Sequence, residues 1–238
     1  PWNGLVSDEY IARRRGEVTA QAASQFLPGD PWVEEGRRPE RVLASSRPGF
    51  DNGTTHLCVI DGDGNAVSMT NTIMSGFGSG IIPKGTGVVM NNGMMWYDPE
   101  PGRVNSIAPG KFPLNNMTPA LVMDSEGVKL AVGASGGRRI TNCVTQQIIK
   151  IIDFGMGPQA AIDSPRLDCS MPFTSVDPRY DAALLSALEG RGHTPRVIGG
   201  GQVEAGFASF ASPVAILRGE DGLTAGVDSF HSAYAEGI

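Results

Sequence analysis

Residues 55–61 (THLCVID) and 66–72 (AVSMTNT) are two β-prone runs separated by GDGN at 62–65. Glycine and asparagine supply the backbone freedom that a tight turn demands, so the pair predicts a β-hairpin. Asp61, Asp63 and Asn65 also match the opening of a calcium loop, but its sixth position is Ala66 instead of Gly and its twelfth is Thr72 instead of Glu. The segment reads as a turn. A second hairpin is expected from residues 118–124 and 128–135 around SEG, and a further strand from residues 87–92.

Helices follow these strands. Ile140, Val144, Ile148, Ile151 and Ile152 recur at helical spacing in residues 138–155, and Gly155 ends the run. Residues 157–165 and 177–193 predict two more helices, and residues 207–219 two more strands. Upstream, residues 7–24 read as a helix with Ser7 as N-cap, and residues 27–53, rich in Pro, Gly and charge, as an exposed connection or a wrapping arm, so residues 1–53 cannot build a core of their own. Strands, then helices, then strands point to an α+β fold. The 32 glycines among 238 residues agree with many tight turns.

A formal charge of -6 gives no electrostatic footprint for nucleic acid, and the short basic clusters at 13–15 and 37–38 lie among acidic residues. No apolar run has the length of a membrane span. Cys58, Cys143 and Cys169 are too few and scattered for a disulfide framework, and neither they nor His56, His193 and His231 have metal-ligand spacing. No cofactor or metal is expected. Three unpaired cysteines and no signal-like start lean towards the cytoplasm, with a periplasmic or extracellular site the alternative. The glycine-rich runs at 76–80 and 199–201 lack the Lys-Ser/Thr of a phosphate loop and read as turns.

The Gly53-Thr54-Thr55-His56 cluster stands at the mouth of the first strand. A threonine hydroxyl is a weak nucleophile without a base beside it. Cleavage between Gly53 and Thr54 would free an α-amine of pKa about 7.7 to 8.0 on the same residue as the hydroxyl, making nucleophile and base one amino acid. Glycine before that bond admits a strained peptide geometry. From the cluster alone, a strand entrance remains the commoner explanation.

TTHLCVIDGDGNAVSMTNT, GFGSGI, PLNNMTP, GASGGRRI and DSPR occur in an order that resembles the small subunit of the γ-glutamyltranspeptidase family of N-terminal nucleophile hydrolases, from about residue 54 to the end. The resemblance implies a four-layer αββα sandwich, with residues 1–53 closing a large-subunit segment and residues 54–238 forming the small-subunit catalytic domain. It makes Thr54 the nucleophile, released by self-cleavage after Gly53. Thr72 becomes its orienting hydroxyl, and the Gly136 and Gly137 N–H groups the oxyanion hole. It also implies a large-subunit polypeptide of the same precursor as partner, and a possible higher oligomer of that heterodimer.

Where transpeptidases grip the glutamyl ammonium group with Asn, Gln and Asp, this chain aligns Met74, Gly93 and Trp96; where they use paired serines for the carboxylate, it has Asn115 and Asn116. Arg138 and Arg139 supply charge beside the diglycine turn. These departures resemble the divergent branch that includes oxamate amidohydrolase. They favour a small amide or acyl-amide acid such as oxamate, opened by hydrolysis through a threonyl acyl-enzyme. A true γ-glutamyltransferase or glutathione hydrolase, and an unprocessed, non-catalytic binding or structural relative, stay open.

Overall fold

Alternation and turn chemistry dictate most of the regular elements in the computed structural model, which describes residues 2–23, 29–36, 53–198, 210–229 and 233–237. The chain opens with helices α1 (Trp2–Leu5) and α2 (Asp8–Gly16), the latter capped by the Ser7 hydroxyl, which accepts from the Tyr10 N–H. Strands β1 (Thr54–Ile60) and β2 (Ala66–Thr72) form the first hairpin, and β3 (Ala120–Asp124) and β4 (Gly127–Ser135) the second. Helix α3 (Arg139–Ile148) runs on into a π turn (Ile149–Asp153), and α4 (Pro158–Asp163) follows. Short strands β5 (Leu167–Asp168) and β6 (Thr174–Val176), helix α5 (Ala182–Gly190) and strand β7 (Pro195–Val197) precede the last hairpin, β8 (Ser212–Gly219) and β9 (Gly222–Val227).

The central sheet has the order β3-β4-β8-β9 and is antiparallel throughout; β5-β6-β7 form a small side sheet. The β1–β2 hairpin stacks on one face of the central sheet, and α3 and α4 cover the other. Helix, sheet and hairpin are three successive layers of an αββα stack, which is the α+β class expected. The main core lies between sheet and helices: Leu130, Val132 and Ala134 of β4 meet Ile140, Cys143 and Val144 of α3, with Ile151, Ile162 and Ala215. Full burial of each Val, Leu or Ile side chain contributes about 1.5–3 kcal/mol.

Several sequence expectations need correction. Helix α2 stops at Gly16 instead of continuing to residue 24, because glycine and then β-branched Val18 and Thr19 favour leaving the helix. Residues 87–92 form no strand; Met90 N–H donates to Ile81 O (2.9 Å) and Met90 O accepts from Ser79 N–H (2.9 Å), without a continuing ladder. The second strand of the last hairpin is β9, after Gly219, and not residues 207–211, of which 207–209 lie outside the described residues. Residues 199–201 and His231 also lie outside them. Among the described residues, no helix is long and apolar enough to cross a membrane.

Gln147 is fully buried on the sheet-facing side of α3, and neither its Oε1 nor its Nε2 has a hydrogen-bond partner among the described residues. An unmatched buried amide costs about 1–3 kcal/mol. Gln147→Leu, similar in volume, is therefore expected to raise the thermal midpoint by about 2–4 °C per kcal/mol gained. Calorimetry checks this, and a fall in midpoint would show the amide to be engaged.

Candidate active site

The register of the first hairpin places Thr54 opposite Thr72. The turn that sets this register is closed by Asp61, whose Oδ1 accepts from the N–H groups of Asp63 (3.0 Å) and Asn65 (2.8 Å). Thr54, His56 and Cys58 face the central sheet, while Leu57 and Val59 face outwards; on β2, Ser68, Thr70 and Thr72 face inwards. The inner face near the mouth of the hairpin is thus polar.

Thr54 Oγ1 donates to Thr72 Oγ1 at 2.9 Å. Thr72 Oγ1 also accepts from the Met74 N–H at 2.8 Å and donates to Gly53 O at 3.4 Å. Gly53 O accepts a second bond from the Ile73 N–H at 3.1 Å. The carbonyl joined to Thr54 is therefore polarised by two donors, and one of them is the hydroxyl that holds the Thr54 oxygen. Gly53 sits at φ 105°, where side chains are rarely tolerated. Met74 has φ 73°, the sole positive value for a non-glycine residue among the described residues, and it aims its N–H at Thr72. Its side chain is 1% exposed, so it lines the interior and not an open pocket.

The diglycine turn follows β4 directly. Gly136 (φ 132°) and Gly137 (φ 61°) turn the chain into α3, their carbonyls accepting from Arg139 N–H (3.3 Å) and Ile140 N–H (3.1 Å). Among the described residues no backbone carbonyl accepts from the Gly136 or Gly137 N–H. A β-carbon on Gly136 would lie 2.6 Å from Ala211 Cα. Arg138 is exposed and Arg139 half-buried where α3 begins.

Thr118 and Thr141 share a hydroxyl contact of 3.0 Å, which brings the Asn115–Asn116 loop beside the first turn of α3. Asn115 Oδ1 accepts from the Met117 N–H (3.0 Å), and Asn116 O from Thr118 Oγ1 (3.2 Å). Gly93 opens a 3-10 turn, Gly93–Trp96, tethered near Thr72 by Asn92 N–H to Ile73 O (3.0 Å). Trp96 is half-buried. Among the described residues no group of three or more His, Cys, Asp or Glu is placed to hold a metal ion.

Sequence reasoning passed over His56 as a site residue, although its position two residues after Thr54 puts both on one face of β1. Its Nδ1 lies 2.8 Å from Thr70 Oγ1, and its Nε2 lies 3.2 Å from Ser68 Oγ and 3.4 Å from Cys58 Sγ. Ser68 Oγ donates to Val132 O of β4 at 2.9 Å, tying hairpin to sheet. Burial lowers the His56 pKa from 6.5 to about 4 and raises that of Cys58 to about 11.

The unfolded chain protonates His56 near pH 6.5, whereas the folded chain resists until about pH 4. The stability tied to this ring is complete above pH 6.5 and is lost as pH falls towards 4. Cys58 stays neutral across this window, β2 presents only Thr70 and Ser68 hydroxyls, and β4 presents the Gly133 backbone. Thermal midpoints between pH 7 and 4.5 are expected to fall more steeply for the wild type than for His56→Gln; equal slopes would assign the acid sensitivity elsewhere.

The family model described as Gamma-glutamyltranspeptidase matches residues 1–238. The chain is 35% identical over 196 residues to the glutathione hydrolase proenzyme of Bacillus subtilis subsp. natto, covering 81% of this chain and 33% of that protein. It therefore spans about a third of the length of that relative. The cephalosporin acylase structure from Bacillus halodurans superposes with a TM-score of 0.76 at 29% identity, covering 100% of this chain and 40% of that one. The γ-glutamyltranspeptidase of Pseudomonas nitroreducens complexed with L-DON gives a TM-score of 0.64 at 26% identity, covering 77% of this chain and 99% of that one. With a family model matched from end to end and an αββα-type stack, the chain belongs to the γ-glutamyltranspeptidase family of N-terminal nucleophile hydrolases.

Proposed function

We propose that this chain carries the catalytic part of a self-processing amidohydrolase or acyltransferase in which Thr54 is the nucleophile. The observation that carries the proposal is the contact of Thr72 Oγ1 with both the Thr54 hydroxyl (2.9 Å) and the Gly53 carbonyl oxygen (3.4 Å). In maturation, Thr54 Oγ1 attacks the Gly53 carbonyl carbon, the C–N bond breaks and the proton passes to the departing nitrogen, leaving an ester. Water then cleaves the ester, releasing the Gly53 carboxylate and a Thr54 with free hydroxyl and amine. In turnover that amine takes the hydroxyl proton, Oγ1 attacks a substrate amide, and the Gly136 and Gly137 N–H groups stabilise the oxyanion. The acyl-enzyme passes its acyl group to water or an amine.

Support for separation at Thr54 comes from the Pseudomonas nitroreducens chain, almost all of which is matched by 77% of this chain, close to the share that runs from Thr54 onwards. The outward face of the hairpin exposes Leu57, Val59, Val67 and Met69, an apolar surface suited to a large-subunit polypeptide of the same precursor.

For the substrate, Met74 is buried, Gly93 has no side chain and Trp96 offers an indole, so these three positions give an ammonium group no carboxylate or amide acceptor. That supports an acyl group without the glutamyl amine, with Asn115 and Asn116 on the loop tied to α3 by Thr118, and Arg138 and Arg139 directly after the turn, as the candidate partners of its carboxylate or carbonyl; oxamate is the simplest such acid. A γ-glutamyl substrate is the second reading, favoured by the identity to a glutathione hydrolase proenzyme.

Mass spectrometry of the wild-type protein is expected to reveal a fragment beginning at Thr54, with Thr54→Ala remaining uncleaved and inactive. A wild type that never cleaves would make it a non-catalytic relative. Thr72→Val is expected to slow cleavage by about 100- to 1000-fold, the usual loss for one stabilising donor. In parallel assays, a higher kcat/KM for oxamate than for γ-glutamyl-p-nitroanilide supports the first substrate; the reverse order supports the second.

A further inference from the structure

His56 hydrogen-bonds neither Thr54 nor the Gly53 carbonyl, yet it occupies a position from which both sides of the site are set. A β-carbon built on Gly133 would lie 2.0 Å from His56 Cε1, 2.3 Å from Nε2 and 2.6 Å from Nδ1. The imidazole of β1 is thus seated on bare backbone of β4. Beside it, Ser68 Oγ donates to the carbonyl of Val132, the residue before Gly133.

These two contacts also orient the strands. Gly133 meets His56, paired with Thr70, while Val132 meets Ser68, paired with Cys58. Descending β4 therefore corresponds to ascending β1, so Thr54 lies on the side of the Gly136–Gly137 turn. At about 3.3 Å per residue, the seat is roughly 7–10 Å from each.

We propose that His56 is a positioning residue: seated as a neutral wedge on Gly133, it sets the separation of β1 and β4 and so places the Thr54 hydroxyl against the Gly136–Gly137 turn. This rests on the Thr54 reading above. Ser68 spends its one hydrogen on Val132 O, so it accepts from His56 Nε2–H; a neutral ring then leaves Nδ1 to accept from Thr70 Oγ1. Gly133 is the complementary half of the device, since a methyl group there displaces the ring. A misplacement of an ångström costs on the order of 100-fold in a positioned reaction.

The test uses the full-length protein and the rate of its own cleavage at Gly53–Thr54, followed by mass spectrometry, with kcat and KM on γ-glutamyl-p-nitroanilide or oxamate as second readout. Gly133→Ala and His56→Ala are each expected to slow cleavage and lower kcat by about 100-fold, with KM changed less than about threefold. The double variant His56→Ala/Gly133→Ala is expected to regain at least about tenfold over Gly133→Ala, because the methyl then enters space the ring has left. That rescue, at a thermal midpoint no higher than the single variant's, separates positioning from stability. Either single variant cleaving at the wild-type rate, or a double variant whose losses add, overturns the proposal. With Thr54→Ala inert, such a result removes only the role of His56; cleavage that persists in Thr54→Ala, or a wild type that never cleaves, removes the nucleophile reading and this inference together.

Discussion

The separation between two β layers governs the geometry of this protein's site, and it narrows to one side chain over one glycine. Stacked sheets ordinarily stand about 10 Å apart, with side chains from both faces interdigitating. At Gly133 one face contributes no side chain, and the His56 ring occupies the space a β-carbon would take. The Ser68 bond to Val132 O stops the hairpin from sliding along the sheet. Thr54 and the diglycine turn belong to different layers, and their relation depends on this contact.

The hairpin reverses the usual distribution of polarity. Its outer face carries Leu57, Val59, Val67 and Met69, and its inner face carries Thr54, His56, Ser68, Thr70 and Thr72. Polar groups placed between layers need partners, and here they find one another: Thr54 with Thr72, Thr70 with His56, His56 with Ser68. The opposite face of the sheet has the apolar Leu130, Val132, Ile140 and Val144 core. Hydrophobic burial therefore stabilises the α3 side, while hydrogen bonding specifies the hairpin side, where family chemistry is expected.

Elements with local signals were legible in the sequence. The GDGN turn and its flanking runs gave β1 and β2, and the isoleucine spacing gave α3 with the π turn that ends before Gly155. Elements that depend on distant partners were not. Residues 87–92 have the composition of a strand but lack a continuous ladder, whereas β5, β6 and β7 are only two or three residues long and exist through pairing with one another. Strand β9 was hidden by its glycines, Gly222 and Gly226, until β8 offered an edge.

By itself the sequence determined the hairpin, and its family resemblance joined Thr54 with Thr72. The four-residue turn expected at 62–65 would have set Thr55 opposite Thr72, and the five-residue loop closed by Asp61 shifts the register by one. The sequence also carried the ordered motifs of the family. Only the tertiary structure decided that Met74 turns into the interior, that Thr118 brings the Asn115–Asn116 loop to α3, and that His56 rests on Gly133. Those relations join residues far apart in the chain through layer packing, and the absent side chain of a glycine acquires its meaning only when another strand is laid across it.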